Sequence, residues 1–124
     1  MGDIFRILEL YIPDDVSMIL NRYTSNREVI KELGEPIIIE FGQQWIICLY
    51  NDAPIGFIGY NEKSILYAYV IKGFRNKGVF NMMYDKLPIQ SWNTVASNMS
   101  YPIFIKKGFE VIKNYKNCHK LIKL

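Results

Sequence analysis

Histidine and cysteine are scarce in this chain of 124 residues: there is one histidine, His119, and two cysteines, Cys48 and Cys118. The cysteines form no close pair and no metal-ligand spacing, which argues against a disulfide scaffold or a Cys/His zinc site. His119 lacks the sequence partners that a nucleophilic triad or a metal would need. No metal is therefore expected. Cys48 lies in an apolar run and reads as a small core residue, and a reducing cytoplasm is the expected compartment. No apolar run reaches membrane-spanning length; Trp45 to Tyr50 is strand length. The first residues, Met1-Gly2-Asp3-Ile4-Phe5-Arg6, lack the basic head and apolar stretch of a secretory leader. Arg6 stands where a myristoylation signal after Gly2 would carry Ser or Thr. Charge of one sign is not in large excess either. Fifteen Lys and Arg face twelve Asp and Glu, a formal net charge of +3. That suits an anionic ligand and falls short of the basic footprint of a dedicated nucleic-acid binder. The chain has no repeat, linker or low-complexity tract.

What is present fits one domain spanning residues 1–124. Half the residues are hydrophobic and 15% are aromatic, enough for one core and favourable to strands. Ile4 to Tyr11 reads as a first strand. Pro13-Asp14-Asp15 opens a helix whose Val16, Ile19, Leu20 and Tyr23 recur at helical spacing. Thr24-Ser25-Asn26 offers a second cap, with Glu28 three residues after Ser25. Val29, Ile30 and Leu33 face the core, and Gly34 ends this helix. Pro36 to Phe41 is β-branched and reads as extended. Trp45 to Tyr50, Ile55 to Tyr60 and Ile65 to Ile71 form an antiparallel meander across two turn clusters. Val79 to Leu87 reads as a helix stopped by Pro88. A strand at Thr94 to Ser97, a helix at Ser100 to Lys107 and a hairpin of Phe109 to Tyr115 with Cys118 to Leu124 complete a mixed α+β pattern.

The most informative segment is Ile71-Lys72-Gly73-Phe74-Arg75-Asn76-Lys77-Gly78-Val79-Phe80. A strand that empties through an Arg/Asn/Lys/Gly turn into a helix gathers backbone N–H groups and the positive helix end around one point. Arg75 and Lys77 add full charges. The ligand this predicts carries phosphate.

With its element order, this turn and the ending Phe104-Ile105-Lys106-Lys107-Gly108-Phe109-Glu110, the chain resembles the GNAT N-acetyltransferase superfamily. The family's acyl-CoA pyrophosphate loop, Arg/Gln-x-x-Gly-x-Gly/Ala, is matched by Arg75-Asn76-Lys77-Gly78-Val79-Phe80. Val70 stands where the preceding strand carries Val. The resemblance spans nearly the whole chain. It implies a mostly antiparallel sheet splayed between its fourth and fifth strands, with acetyl-CoA bound along Val70, Ile71 and Lys72 and in the loop Arg75, Asn76, Lys77, Gly78, Val79 and Phe80. Ser97, Ser100 and Phe104 stand at the late helix positions where the family carries Asn, a small residue and Tyr. Phe80 replaces the second small residue, so its ring must leave the pyrophosphate's path or the loop must open slightly. Lys72 stands where many members have Pro. Phe104 cannot supply the phenolic proton that the family's Tyr gives to the leaving thiolate.

Acetyl transfer from a thioester to an amine needs an N–H donor for the developing oxyanion, here near Val70, and a route for the amine's proton. Three residues are candidate catalytic groups: Tyr101, three residues from Phe104 on a helix; Glu62, at the turn before the central strand; and Tyr69, which shares a strand face with Tyr67. The lysines at 106, 107, 113, 116, 120 and 123 read either as a solvated edge or as attraction for an acidic partner or the cofactor's adenosine phosphate.

Three functions are compatible with these residues. The chain is an acetyl-CoA-dependent N-acetyltransferase of a primary amine on a small molecule or protein, or a CoA-binding or regulatory module without turnover, or an acyltransferase-like enzyme modifying nucleic acid. No membrane partner is expected, and a monomer and a homodimer are both compatible with the sequence.

Overall fold

The computed structural model describes residues 4–98 and 100–124. The reading of the leader and of Gly2 lies outside them. Among the described residues there are seven strands and four helices. They run β1 (Phe5–Leu10), α1 (Pro13–Thr24), α2 (Arg27–Leu33), β2 (Gln44–Tyr50), β3 (Ala53–Tyr60), β4 (Ser64–Val70), α3 (Val79–Tyr84), β5 (Trp92–Ser97), α4 (Tyr101–Lys106), β6 (Glu110–Asn114) and β7 (Cys118–Lys123). One sheet holds all seven strands in the order β1-β2-β3-β4-β5-β7-β6. Every neighbouring pair is antiparallel except β4 and β5. Among the described residues no helix is long and apolar enough to cross a membrane.

Alternation along the strands feeds two cores. Trp45, Ile47, Phe57, Tyr67 and Tyr69 pack with Val16, Leu20 and Tyr23 of α1 and Val29 of α2. Ile46, Cys48, Ile58 and Ile65 pack on the opposite face with Val79 and Met83 of α3 and Phe104 of α4. The first helix pair thus covers one side of the sheet and the second pair the other. A two-residue turn, Asn51 and Asp52 with φ of 47° and 69°, joins β2 to β3. Both positive angles match the twist of a tight hairpin, and Asn and Asp tolerate them better than other side chains do.

Three local expectations are corrected. Pro36 to Phe41 is not a strand, because β1 already pairs with β2 at that side of the sheet. Its backbone is satisfied by side chains instead: Ile38 N donates to Tyr67 Oη at 3.1 Å, Gln43 Nε2 to Ile38 O at 2.9 Å, and Glu40 N to Gln43 Oε1 at 2.9 Å. The cap of α2 is Asn26, whose Oδ1 accepts from the N–H groups of Glu28 and Val29, rather than Ser25. Such a cap stabilises by about 1 kcal/mol. Helix α3 stops at Tyr84, and Lys86 and Leu87 continue only as tight turns onto Met83 and Tyr84.

Candidate active site

Strands β4 and β5 pair only at Ser64↔Asn93 and Ile65↔Thr94 and then separate. The splay therefore begins at Leu66, earlier than the expected point after Val70. Leu66 is where the β3–β4 register slips: Tyr60 faces Ile65 and Gly59 faces Tyr67, so Leu66 has no partner. A bulge bends its strand and ends pairing. Thr94 Oγ1 donates to Ile65 O at 3.0 Å, closing the seam where the ladder stops.

Beyond the bulge the backbone of β4 is available to the gap. Ile71 N donates to Ile55 O at 2.9 Å, toward β3. Alternation then turns the N–H and C=O groups of Ala68 and Val70 the other way, into the space left by β5. The Val70 carbonyl accepts from Arg75 Nε at 2.8 Å. The Val70 N–H is turned by the same alternation into the gap, beyond the last β4–β5 pair at Ile65↔Thr94.

The gap opens a cleft of about 680 Å³. It is lined by Ala68, Tyr69 and Val70 of β4, by Arg75, Asn76, Gly78, Val79 and Phe80, by Ser97, Ser100 and Phe104, and by Glu32, Leu33 and Glu35 at the end of α2. The turn before α3 is shaped by Gly73, Asn76 and Gly78, with φ of 89°, 63° and 82°. Such alternating conformations swing successive N–H groups toward one concavity. Residues 75–78 run as tight turns into α3, and the N–H groups of Arg75 and Asn76 have no backbone partner among the described residues. A Cβ at Gly78 would meet nothing within 4 Å, so the concavity above it is open, and its φ of 82° favours glycine. Free donors, open space and a neighbouring cation fit a pyrophosphate.

The residues expected to hold the cofactor divide. Val70, Arg75, Asn76, Gly78, Val79, Phe80, Ser97, Ser100 and Phe104 all line the cleft. Ile71 and Lys72 do not: the Ile71 N–H belongs to the β3 ladder, and Lys72 Nζ pairs with Glu28 Oε1 at 2.7 Å in solvent. Lys77 lies outside the lining, with its ammonium 5.7 Å from the Phe74 ring centroid. Ser97 Oγ and Ser100 Oγ are 3.1 Å apart.

The expected catalytic groups divide as well. Tyr69 lines the cleft and donates to Glu32 Oε1 at 2.7 Å. Burial, reinforced by the Glu32 carboxylate, pushes its phenol far above the ordinary value, so it stays protonated. Glu62 is exposed at the opposite end of β4, where its carbonyl accepts from Gln90 Nε2, too far along the strand to meet the cleft. Tyr101 is not in the lining either. Its ring rests on His119 with centroids 4.0 Å apart, and His119 in turn bonds Asn114 and Asn98 at 2.7 Å. The helical offset of three placed Tyr101 beside Phe104 correctly along the axis but not around it.

Two acidic residues escaped the sequence reading. Glu32 is nine-tenths buried: one oxygen takes the Tyr69 hydroxyl, and Arg75 Nη2 lies 2.9 Å from the other without the alignment of a hydrogen bond. Glu35, just past the Gly34 cap, lines the same wall at its exposed rim, with no hydrogen bond or ion pair to it among the described residues. Partial burial pushes its carboxyl above the ordinary value. Glu28 and Glu32 lie four apart, on one face of α2. That spacing is the sequence signal Glu32 had; Glu35, beyond the helix, had none.

No protein-family model and no curated protein matches the chain, but solved structures match nearly all of it. Escherichia coli ElaA superposes with a TM-score of 0.69 at 11% identity, over 98% of this chain and 100% of that one. PaiA N-acetyltransferase from Thermoplasma acidophilum, in complex with coenzyme A, gives 0.64 at 11% identity over 95% and 98%. Arabidopsis thaliana Naa50, in complex with the bisubstrate analogue CoA-Ac-MVNAL, gives 0.62 at 18% identity over 95% and 98%. The fold is that of the GNAT N-acetyltransferases, in a small form with a seven-stranded sheet.

Proposed function

We propose that this chain is an acyl-CoA-dependent N-acetyltransferase that acts on a primary amine of a small molecule or protein. The observation that carries the reading is the Val70 N–H, turned into the gap where β5 has parted from β4, beside an open anion cradle. Neighbours of the same fold bound to coenzyme A and to a CoA–peptide analogue support it.

Acetyl-CoA supplies the thioester whose acetyl group the amine takes. Its pyrophosphate fits the N–H groups of Arg75 to Phe80, and its pantetheine fits the free edge of β4 at Ala68 and Val70. Ser97 and Ser100 border the same arm. The Val70 N–H donates to the carbonyl oxygen as it gains negative charge, the kind of term that often dominates such catalysis. The amine enters from the α2 side, where Tyr69, Glu32 and Glu35 stand. Glu35 is the carboxylate free to receive the amine's proton. As the C–N bond forms and the C–S bond breaks, the departing thiolate takes its proton from water, since Phe104 offers none. Holding the two reactants together supplies much of the acceleration.

A CoA-binding module without turnover is the second reading, favoured by Phe104 and by Tyr101 lying outside the cleft. Calorimetry with CoA, followed by acetyl-CoA consumption across a panel of primary amines, tests both. CoA binding with acetyl transfer supports the enzyme. Binding without transfer to any amine favours the module, and no binding at millimolar CoA in a folded sample removes both.

A further inference from the structure

Arg75 stands at the boundary of the two halves of the cleft and serves both. Its backbone belongs to the anion cradle, while its guanidinium lies against Glu32 on the amine side. The Glu32 carboxylate is nine-tenths buried, and the oxygen nearest Arg75 has no hydrogen bond. Arg75 is its neighbouring cation, and the contact is close but misaligned. A buried carboxylate in that state is costly to leave alone and readily exchanges one cation for another. A pyrophosphate arriving in the cradle, which the Arg75 backbone itself helps to form, offers a doubly charged competitor for the same side chain, whose Nε is otherwise held by the Val70 carbonyl at 2.8 Å.

We infer that Glu32 and the cofactor's pyrophosphate compete for Arg75, and that cofactor binding thereby hands Glu32 to the acceptor, which it receives as an alkylammonium cation. Glu32 thus acts on cofactor affinity through Arg75, as a positioning residue, and on the acceptor directly. The inference rests on the reading of the cleft as a CoA site. It names the acceptor's charge state on arrival, and it couples two sites that share no ligand contact. Reciprocity follows: a cation at Glu32 frees Arg75 and tightens CoA binding, just as CoA tightens the cation.

The test is calorimetric titration of CoA, not acetyl-CoA, into wild type and Glu32→Gln, each with and without n-butylamine in its ammonium form. Gln keeps an acceptor for the Tyr69 hydroxyl and loses the charge. Glu32→Gln should bind CoA about five- to tenfold more tightly than wild type, at the low end of usual site-to-site couplings. Butylammonium should tighten CoA on wild type and leave Glu32→Gln unchanged. Adding Arg75→Gln to Glu32→Gln should erase the gain. If Glu32→Gln does not fold, Glu32→Asp, which withdraws the carboxylate by one methylene, should show the same direction at smaller size. A purely structural role for the pair predicts the opposite sign, weaker CoA binding once α2 is loosened. Equal or weaker binding by the variant, or indifference of wild type to butylammonium, overturns the inference alone. No CoA binding by either protein overturns the parent reading and this one with it.

Discussion

Phe80 and Phe104 meet edge to face, with ring centroids 5.7 Å apart. They are the two positions where the cradle and the late helix depart most from the family pattern, and they depart toward each other. The Phe80 ring leans on Phe104 and stacks on Tyr84. The bulk at Phe80 is thereby anchored among aromatic neighbours, which is how the turn accommodates a large residue.

The pair should be energetically coupled. A double-mutant cycle of Phe80→Leu and Phe104→Leu, read by urea unfolding, should give a coupling of about 0.5–1.5 kcal/mol, the usual worth of an aromatic pair beyond its buried area. Additive effects would mean that the contact is incidental. Phe104 is 2% exposed, so Phe104→Ala alone should cost about 3–5 kcal/mol.

The cradle should be sensitive to one atom type and one charge. Gly78→Asp places a side chain and a negative charge in the open concavity and should abolish CoA binding by calorimetry. Gly78→Ala should retain weakened binding and lose about 1–2 kcal/mol of stability, the cost of a left-handed residue with a Cβ. Full binding by Gly78→Asp would move the anion site elsewhere.

Tyr69→Phe removes the hydroxyl from Glu32 Oε1 and leaves a buried carboxylate oxygen unpaired. The expected loss of stability is about 1–3 kcal/mol. Tyr101→Phe, whose half-buried ring sits on His119 outside the cleft, should turn over at a rate within about twofold of wild type, since only a hydroxyl away from the cleft is lost. A tenfold loss at Tyr101 would return it to the chemistry.

Glu35 should leave a mark on pH dependence. Burial raises its carboxyl above the ordinary value, so between the unfolded and folded values the folded chain binds the extra proton. Stability therefore falls as pH rises through that window. Glu35→Gln, which does not ionise, should remove this decline in urea midpoints measured across acidic pH. It should also remove the rise of turnover with pH that deprotonation of Glu35 produces in wild type. Identical profiles for the two proteins would leave Glu35 without either role.

Much of the fold was legible because periodicity carries it. Val16, Ile19, Leu20 and Tyr23 announce α1, and Trp45 to Tyr50 and Ile65 to Ile71 announce strands that the structure places within a residue or two. Pro36 to Phe41 misled because β-branched residues mark extended backbone, not a partner, and the sheet edge there was taken. At the site, the cradle was legible because Gly78 and its neighbours act through backbone local to the turn. Glu32 and Glu35 were not, since their place on the cleft wall arises only when α2 is laid beside β4. The place of Tyr101 on His119 was not legible for a related reason: spacing fixes position along a helix more firmly than it fixes which neighbour a side chain meets.

The bulge at Leu66 separates what makes this chain fold from what gives it an opening. Ile65 faces the α3–α4 core, Tyr67 and Tyr69 face the α1–α2 core, and Leu66 packs with the latter. Taking out Leu66 would leave every neighbour on the side it already occupies, yet would restore a regular ladder in β4. A chain one residue shorter would then have both cores intact and a strand free to zip against β5. Such a protein would melt like its parent and have nowhere to place a ligand between the strands. In this molecule a single unpaired residue in β4 marks where the two central strands part.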